Sequence, residues 1–204
     1  MQHYLKDFVM LFDSKDRENE IDLCIPAEKV TWKHIYLMRK HAGGLICLAI
    51  DKDISLKINL PFITELLRKY STGQKLPFQV YEKTKYGDSP AFSVSINHKS
   101  CYTGITDRER AHTIRRFYEL CIHKKFNNMK HEFLMPGHVI LLRSRGVDKR
   151  HGHTELSIEV CKKKGYFPLC VISEMLDSNG NRLSLTKAKK FAKKYGIDLY
   201  DCHS

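Results

Sequence analysis

The chain has 204 residues, 42% of them hydrophobic and 28% charged, a composition typical of a folded globular protein and not of a fibre or a disordered chain. Its longest segments without a charged residue span ten positions, about half the length that a membrane-spanning helix needs, so we expect no membrane protein. The net charge of +12 makes nucleic acid a partner to consider, although a positive field would also attract a small phosphorylated substrate.

The N-terminal half alternates short apolar runs with amphipathic runs. We predict strands at residues 8–12, 23–25 and 45–50, and helices at Trp32–His41 and 63–70. Gly43 and Gly44 are expected to end the first of these helices. Residues 71–90 form a long polar connection with two prolines and two glycines. This connection suits either a lid over a site or a plain surface loop.

The C-terminal half continues the alternation. Thr106 and Glu109 form a capping box that should open a helix running to about Ile122. Thr154 is expected to cap a second helix that extends to Lys164 and stops at Gly165. We also predict strands at 92–97, 138–142 and 168–172, a turn at 177–180, and a last helix at 187–195 before Gly196. Since we see no linker, we predict one α+β domain over 1–204, with a mixed twisted sheet layered with helices.

The cysteines and the N-terminus indicate a reducing compartment. The seven cysteines are never closer than nine positions and form no CxxC pair, which argues against a zinc ribbon or a redox dithiol. Lys6 and Asp7 interrupt the apolar run that a signal peptide would need. We therefore expect a cytoplasmic protein with mostly buried, reduced thiols.

An acidic loop, residues 13–22, lies between the first two predicted strands. It holds five carboxylates in ten residues. Carboxylates packed this closely repel one another unless a cation compensates, so a divalent metal is a natural partner. Oxygen ligands favour magnesium or manganese over zinc. An acidic surface turn without a metal is the alternative interpretation.

Two further polar groups follow apolar runs. Residues 150–155, RHGHTE, occur at a predicted helix start, where Arg150 and backbone N–H groups could hold a phosphate. His153 could serve as a metal ligand or an acid/base, and a helix with a basic flank is the alternative. Glu174 follows the apolar run 169–172. Burial there would raise the pKa of its carboxyl and suit a general base, whereas a salt-bridged glutamate is the simpler alternative.

Five segments, RENEID, TGIT, PGHV, RHGHTE and ISEM, occur in that order. Together they resemble the signature of the 3,4-dihydroxy-2-butanone 4-phosphate synthase family, over about residues 7–201. The resemblance implies a three-layer α/β/α fold and conversion of ribulose 5-phosphate to 3,4-dihydroxy-2-butanone 4-phosphate and formate in riboflavin biosynthesis. It also implies Mg²⁺ or Mn²⁺, two ions per active site, and a homodimer with active sites at the subunit interface. We expect neither membrane nor nucleic acid as a partner.

The resemblance also assigns roles by position. The matching metal ligands are Glu18 and His153. The matching catalytic positions are Asp22, Cys47, His138 and Glu174. The matching substrate contacts are Arg17, Asp22, Thr103, Thr106, Arg110, Arg150, His151, Gly152, Thr154 and Glu174.

Three positions depart from the family pattern. Many members have glycine at Ile21, aspartate at Glu109 and cysteine at Ser173. The capping box accounts for Glu109, and Ser173 keeps a small polar side chain. Ile21 is bulkier than glycine and could shift the acidic loop together with Asp22.

The implied reaction sets the demands on these residues. A proton next to a ketone is removed only if the resulting negative charge is stabilised, which a divalent ion does as a Lewis acid. Asp22 or Glu174 could take and return the proton, and Arg150 could anchor the phosphate. The alternative function is a non-catalytic basic RNA- or nucleotide-binding protein of the same fold. It predicts aromatic residues among the basic runs and a degraded acidic loop, and the sequence shows the reverse pattern.

Overall fold

The computed structural model describes residues 1–73, 76–81 and 83–202, and seven strands of this part form one mixed sheet. The strands are β1 Val9–Phe12, β2 Ile21–Pro26, β3 Cys47–Ile50, β4 Phe92–His98, β5 Phe133–Arg143, β6 Leu169–Glu174 and β7 Asp198–Asp201. Their order across the sheet is β4-β5-β3-β6-β2-β1-β7. Strand β3 pairs in parallel with β5 and β1 pairs in parallel with β7, and the remaining pairs are antiparallel.

Helices separate these strands. They are α1 Trp32–His41, α2 Lys52–Lys57, α3 Ile63–Ser71, α4 Asp107–Ile122, α5 Met129–Glu132, α6 His153–Lys163 and α7 Leu185–Tyr195. Short 3₁₀ turns span Gln2–Asp7, Ala27–Lys29 and Phe126–Asn128. None of the helices in the described segments is long and apolar enough to cross a membrane.

Both faces of the sheet are covered, as β3 shows. All four of its residues are buried. Leu48 and Ile50 pack into a core that α1, α4 and α7 cover, whereas Cys47 and Ala49 pack into a second core under α6. Alternate side chains of a strand point to opposite faces, so the sheet lies between two helical layers. The predicted layered α+β fold is confirmed.

The local predictions differ from the structure mainly at element ends. Helix α1 has the predicted bounds, and α7 ends at Gly196 in the left-handed conformation. The prediction that Thr154 caps α6 is wrong, because Gly152 is the N-cap and Thr154 lies within the first turn. Strand β5 begins at Phe133 rather than at residue 138, since its pairing with β4 extends it. The expected burial of most cysteines is confirmed, because five of the seven are buried.

The capping box of α4 gives a test of the fold that depends on pH. Slight burial alone would raise the pKa of Glu109, but hydrogen bonds from the Thr106 hydroxyl and from the backbone N–H groups of Tyr102, Thr103 and Thr106 lower it to about 2. A carboxyl whose pKa is lower in the folded state stabilises the fold above its unfolded pKa, and this stabilisation disappears as the pH falls towards the folded pKa. We therefore expect Glu109→Gln to lower the denaturant midpoint of unfolding at pH 7. The difference from wild type should shrink as the pH falls from about 5 towards 2, and a difference that persists at low pH would contradict this role.

Candidate active site

A cavity of about 570 Å³ opens beside the ends of β2, β3 and β6 and the start of α6. Its polar side is formed by Glu18, Asp22, Arg150, His153, Thr154 and Glu174, with Cys47 at its base. Its apolar side comes mainly from α3, from the connection that follows it and from the start of β4, with Ile63, Leu67, Leu76, Phe78, Val80, Tyr81, Pro90, Ala91 and Phe92. Half of the predicted site residues, seven of fourteen, therefore line one cavity.

Glu18 and His153 meet across 135 positions of sequence. The Glu18 Oε2 atom lies 2.9 Å from His153 Nδ1, and the Tyr86 hydroxyl donates a hydrogen bond to Glu18 Oε1 at 2.6 Å. Burial would lower the pKa of His153, but the charge of Asp22 and the Glu18 contact raise it to about 9. Burial would likewise raise the pKa of Glu18, but the hydrogen bond and charge of His153 lower it to about 2. The two groups therefore form an ion pair at neutral pH.

Asp22 is a buried carboxyl at the edge of the same cluster. Its side chain is almost wholly buried, and Oδ1 has no hydrogen-bond partner within the described residues, lying 3.9 Å from His153 Nε2. Burial is the main cause that raises the pKa of Asp22 to about 7, and the nearby negative charges of Glu174, Glu18 and Glu20 add to it. Asp22 can thus exchange a proton near neutral pH.

The donor atoms fit a divalent cation. Ligand atoms of Asp13, Glu18 and His153 all lie within 4.8 Å of one another, and the unpartnered Asp22 oxygen lies 3.9 Å from His153 Nε2. The carboxylates of Asp13 and Glu18 and the imidazole of His153 form a donor set that suits magnesium or manganese. Asp13 is the member that the sequence did not single out within the acidic loop. It is fully buried and also accepts hydrogen bonds from the backbone N–H groups of Glu18 and Glu20.

Arg150 lines the cavity and Arg17 lies beside it on Glu18, but both arginines already contact carboxylates. Arg17 binds Asp13 and Asp88, and Arg150 donates a hydrogen bond to Glu155 at 2.5 Å. Gly152 permits this packing, because a Cβ atom there would lie 2.1 Å from the Arg150 guanidinium group. The guanidinium predicted to hold a phosphate is therefore buried and held in place.

Glu174 lies opposite Asp22 on the neighbouring antiparallel strand. Its Oε2 atom accepts a hydrogen bond from the Leu45 N–H at 2.8 Å. This bond holds the Glu174 carboxylate beside the start of β3. Cys47 is buried on β3, and burial together with the charge of Glu174 raises the pKa of its thiol. Two candidate bases therefore lie on paired strands, and the protonated thiol of Cys47 lines the same cavity.

A second group of predicted residues forms its own cluster outside the cavity. Asn97 joins it, with its side-chain nitrogen 3.1 Å from His138 Nδ1 and hydrogen-bonded to the Thr103 carbonyl. Thr106 caps α4, and Arg110 binds Asp107. His138, Thr103 and Thr106 are exposed, and none of the described cavity-lining residues belongs to this cluster. The predicted contact His151 is also exposed and does not line the cavity.

The long connection before β4 was predicted to be either a lid or a plain surface loop, and no residue at its end was assigned a role. Tyr86 and Asp88 of this segment contact Glu18 and the two arginines of the site. Part of the connection therefore lines the cavity. Only its unusual length pointed to it, and residues 74, 75 and 82 lie outside the described part of the chain.

Comparisons with known proteins identify relatives that match nearly the whole chain. Residues 5–204 match the family model described as 3,4-dihydroxy-2-butanone 4-phosphate synthase. A relative of that name from Methanosarcina acetivorans is 41% identical over 198 residues, covering 93% of this chain and 80% of that protein. One from Saccharomyces cerevisiae is 32% identical, covering 98% of this chain and 90% of its own length. A solved structure of a 3,4-dihydroxy-2-butanone 4-phosphate synthase in complex with two magnesium ions is 28% identical, with a TM-score of 0.73 over 96% of this chain and 87% of that chain.

Proposed function

Because this chain belongs to the 3,4-dihydroxy-2-butanone 4-phosphate synthase family, we propose that it converts ribulose 5-phosphate to 3,4-dihydroxy-2-butanone 4-phosphate and formate in riboflavin biosynthesis. The observation that carries this proposal is the contact between Glu18 and His153 beside the buried Asp22, with all three side chains lining one cavity. A merely solvated acidic turn would not bury a carboxyl oxygen without a partner.

The cation site would be formed by Glu18 and His153, with Asp13 beside them. Magnesium or manganese, two ions per site by the family resemblance, would supply Lewis-acid stabilisation of negative charge on the substrate oxygens. Asp22 is the best-placed base, since a pKa of about 7 leaves it partly ionised at neutral pH. It would take the proton from the carbon next to the ketone and return it later, with Glu174 beside it as the second carboxylate.

Arg17 and Arg150 would bind the substrate's phosphate. Both guanidinium groups contact Glu18, which lines the cavity together with Arg150 and Thr154, and Thr154 is buried in the first turn of α6. Backbone N–H groups at a helix start favour an anion. A phosphate held there would fix the orientation of the ketose relative to Asp22. Cys47 would contact the substrate from the wall of the cavity.

The exposed second cluster supports a site shared between two subunits. His138 lies two positions from Ile140, which pairs with Cys47, so His138 faces the cavity side of the sheet. We propose a homodimer of single-domain subunits in which Thr103, Thr106, Arg110 and His138 of each chain complete the site of the other. The exposure of Thr103, Thr106 and His138 in one chain is what such an arrangement requires.

Formate release tests the proposed reaction directly. Purified protein incubated with ribulose 5-phosphate and Mg²⁺ should release one formate for each ketose consumed, and EDTA should stop the reaction. A folded protein that releases no formate with Mg²⁺ or Mn²⁺ would contradict the proposal. RNA binding by that inactive protein would instead favour the non-catalytic alternative.

A further inference from the structure

A closed five-residue turn, Thr84–Asp88, presents two side chains to the site. The Thr84 N–H donates to the Asp88 carbonyl at 2.7 Å, and the Asp88 N–H donates to the Thr84 hydroxyl at 3.1 Å. Gly87 has a φ of +89°, which a glycine adopts without strain. These hydrogen bonds close the turn and fix the orientation of Asp88. The contacts of Asp88 are therefore made from an ordered turn.

The Asp88 carboxylate lies between the two arginines of the site. Its Oδ2 atom accepts hydrogen bonds from Arg17 Nη2 at 2.5 Å and Arg17 Nε at 3.0 Å, and it lies 3.4 Å from Arg150 Nε. Arg150 Nε is buried and has no hydrogen-bond partner in the described structure. One carboxylate oxygen therefore faces three guanidinium N–H groups, and one of these N–H groups is not yet satisfied.

A phosphate would match this position better than the carboxylate does. Guanidinium groups bind carboxylates and phosphates through the same fork of donors. A phosphate monoester carries more charge near neutral pH and offers three terminal oxygens. It could therefore satisfy Arg17 and Arg150 together, including the Nε donor that Asp88 leaves at 3.4 Å.

We propose that Asp88 is a specificity-determining residue, an internal anion that occupies the phosphate position between Arg17 and Arg150 and must be displaced by the substrate. This inference rests on the proposed function for the identity of the ligand. A dianionic phosphate displaces the Asp88 carboxylate from the arginines. A monoanion such as formate, a product of the proposed reaction, binds the arginines no more strongly than Asp88 does and does not displace it. Asp88 thus excludes small carboxylates from the arginines.

The test is anion binding to Asp88→Asn by isothermal titration calorimetry, with protein treated with EDTA and at fixed ionic strength. Asparagine keeps the shape of the side chain and removes its charge. We expect the Kd for inorganic phosphate to fall about tenfold relative to wild type, since the lost competitor is a charge-assisted contact. We also expect formate to bind the variant measurably and wild type not at all.

Asp198→Asn is the matched control. It also removes one negative charge, but Asp198 pairs with Lys164 on the surface outside the cavity. Its phosphate Kd should stay within about twofold of wild type, because an exposed pair contributes little. If Asp88→Asn does not fold, Asp88→Ser removes the same charge and should show the same direction of change.

An unchanged or higher phosphate Kd in the Asp88 variant, or formate binding that matches wild type, would overturn the inference. Formate release from ribulose 5-phosphate by wild type, measured in parallel, judges the proposed function separately. An active wild type with an unaltered anion preference in the variant refutes only the role of Asp88. An inactive wild type refutes the function, while the titrations still decide whether Asp88 competes with anions.

Discussion

Replacing Glu18 by glutamine should lower the turnover of ribulose 5-phosphate about a thousandfold or more, while the protein stays folded. Glu18 is the carboxylate that contacts His153 and belongs to the candidate cation site. Stabilisation of negative charge by a bound metal is worth several kcal/mol, and about 4 kcal/mol corresponds to a thousandfold in rate. Formate release and the calorimetric affinity for Mn²⁺ should fall together.

Asp16→Asn is the control for this experiment. Asp16 lies in the same acidic loop but is exposed, and it is not part of the candidate cation site. It should keep near-normal turnover and Mn²⁺ affinity. Circular dichroism should show both variants folded, because His153 can lose its proton once Glu18 is neutralised. Turnover above about a tenth of wild type in Glu18→Gln would show that the metal ligands lie elsewhere.

Mixing two inactive variants should restore activity if the site is shared between subunits. Glu18→Gln alters the cavity cluster and His138→Ala alters the exposed cluster, and these clusters are separate within one chain. Random pairing makes half of the dimers mixed, and each mixed dimer has one unaltered site. Co-expressed variants should therefore show about a quarter of wild-type activity, whereas each variant alone should be nearly inactive.

Glu18→Gln mixed with His153→Ala is the matched control. Glu18 and His153 touch within one chain, so no dimer of these variants contains an unaltered site, and activity should stay at the level of the single variants. Restoration in both mixtures, or in neither, would contradict a site completed by the exposed cluster of a second subunit.

Local sequence patterns predicted the helices whose ends are determined by neighbouring residues in the chain. Helix α1 and the capping box of α4 depend on residues within one turn of the helix, and both agree with the structure. Strand β7 was missed because the segment DLYD is polar and becomes a strand only by pairing with β1. Helix α2 was not predicted because it is a single segment of six residues, opened by Asp51.

In the candidate site, too, features carried by neighbouring residues were predictable and contacts between distant segments were not. The acidic loop and the RHGHTE segment were recognisable as chemical patterns, and the fold brings Glu18 and His153 together. Tyr86 and Asp88 contact the acidic loop across 68 and 71 positions, and no local pattern marks such contacts. The placement of Arg150 between Glu155 and Asp88 also depends on tertiary packing, so its competing partners could not be inferred from residue order.

The position of a bound cation tests the central claim most directly. Crystals grown with Mn²⁺ and measured near the manganese absorption edge should show an anomalous peak within bonding distance of a Glu18 carboxylate oxygen and a His153 ring nitrogen, about 2.0–2.3 Å for this type of ion. Such a peak would establish that the acidic loop and the start of α6 hold one ion. Manganese bound only at other residues in an active protein would contradict the account.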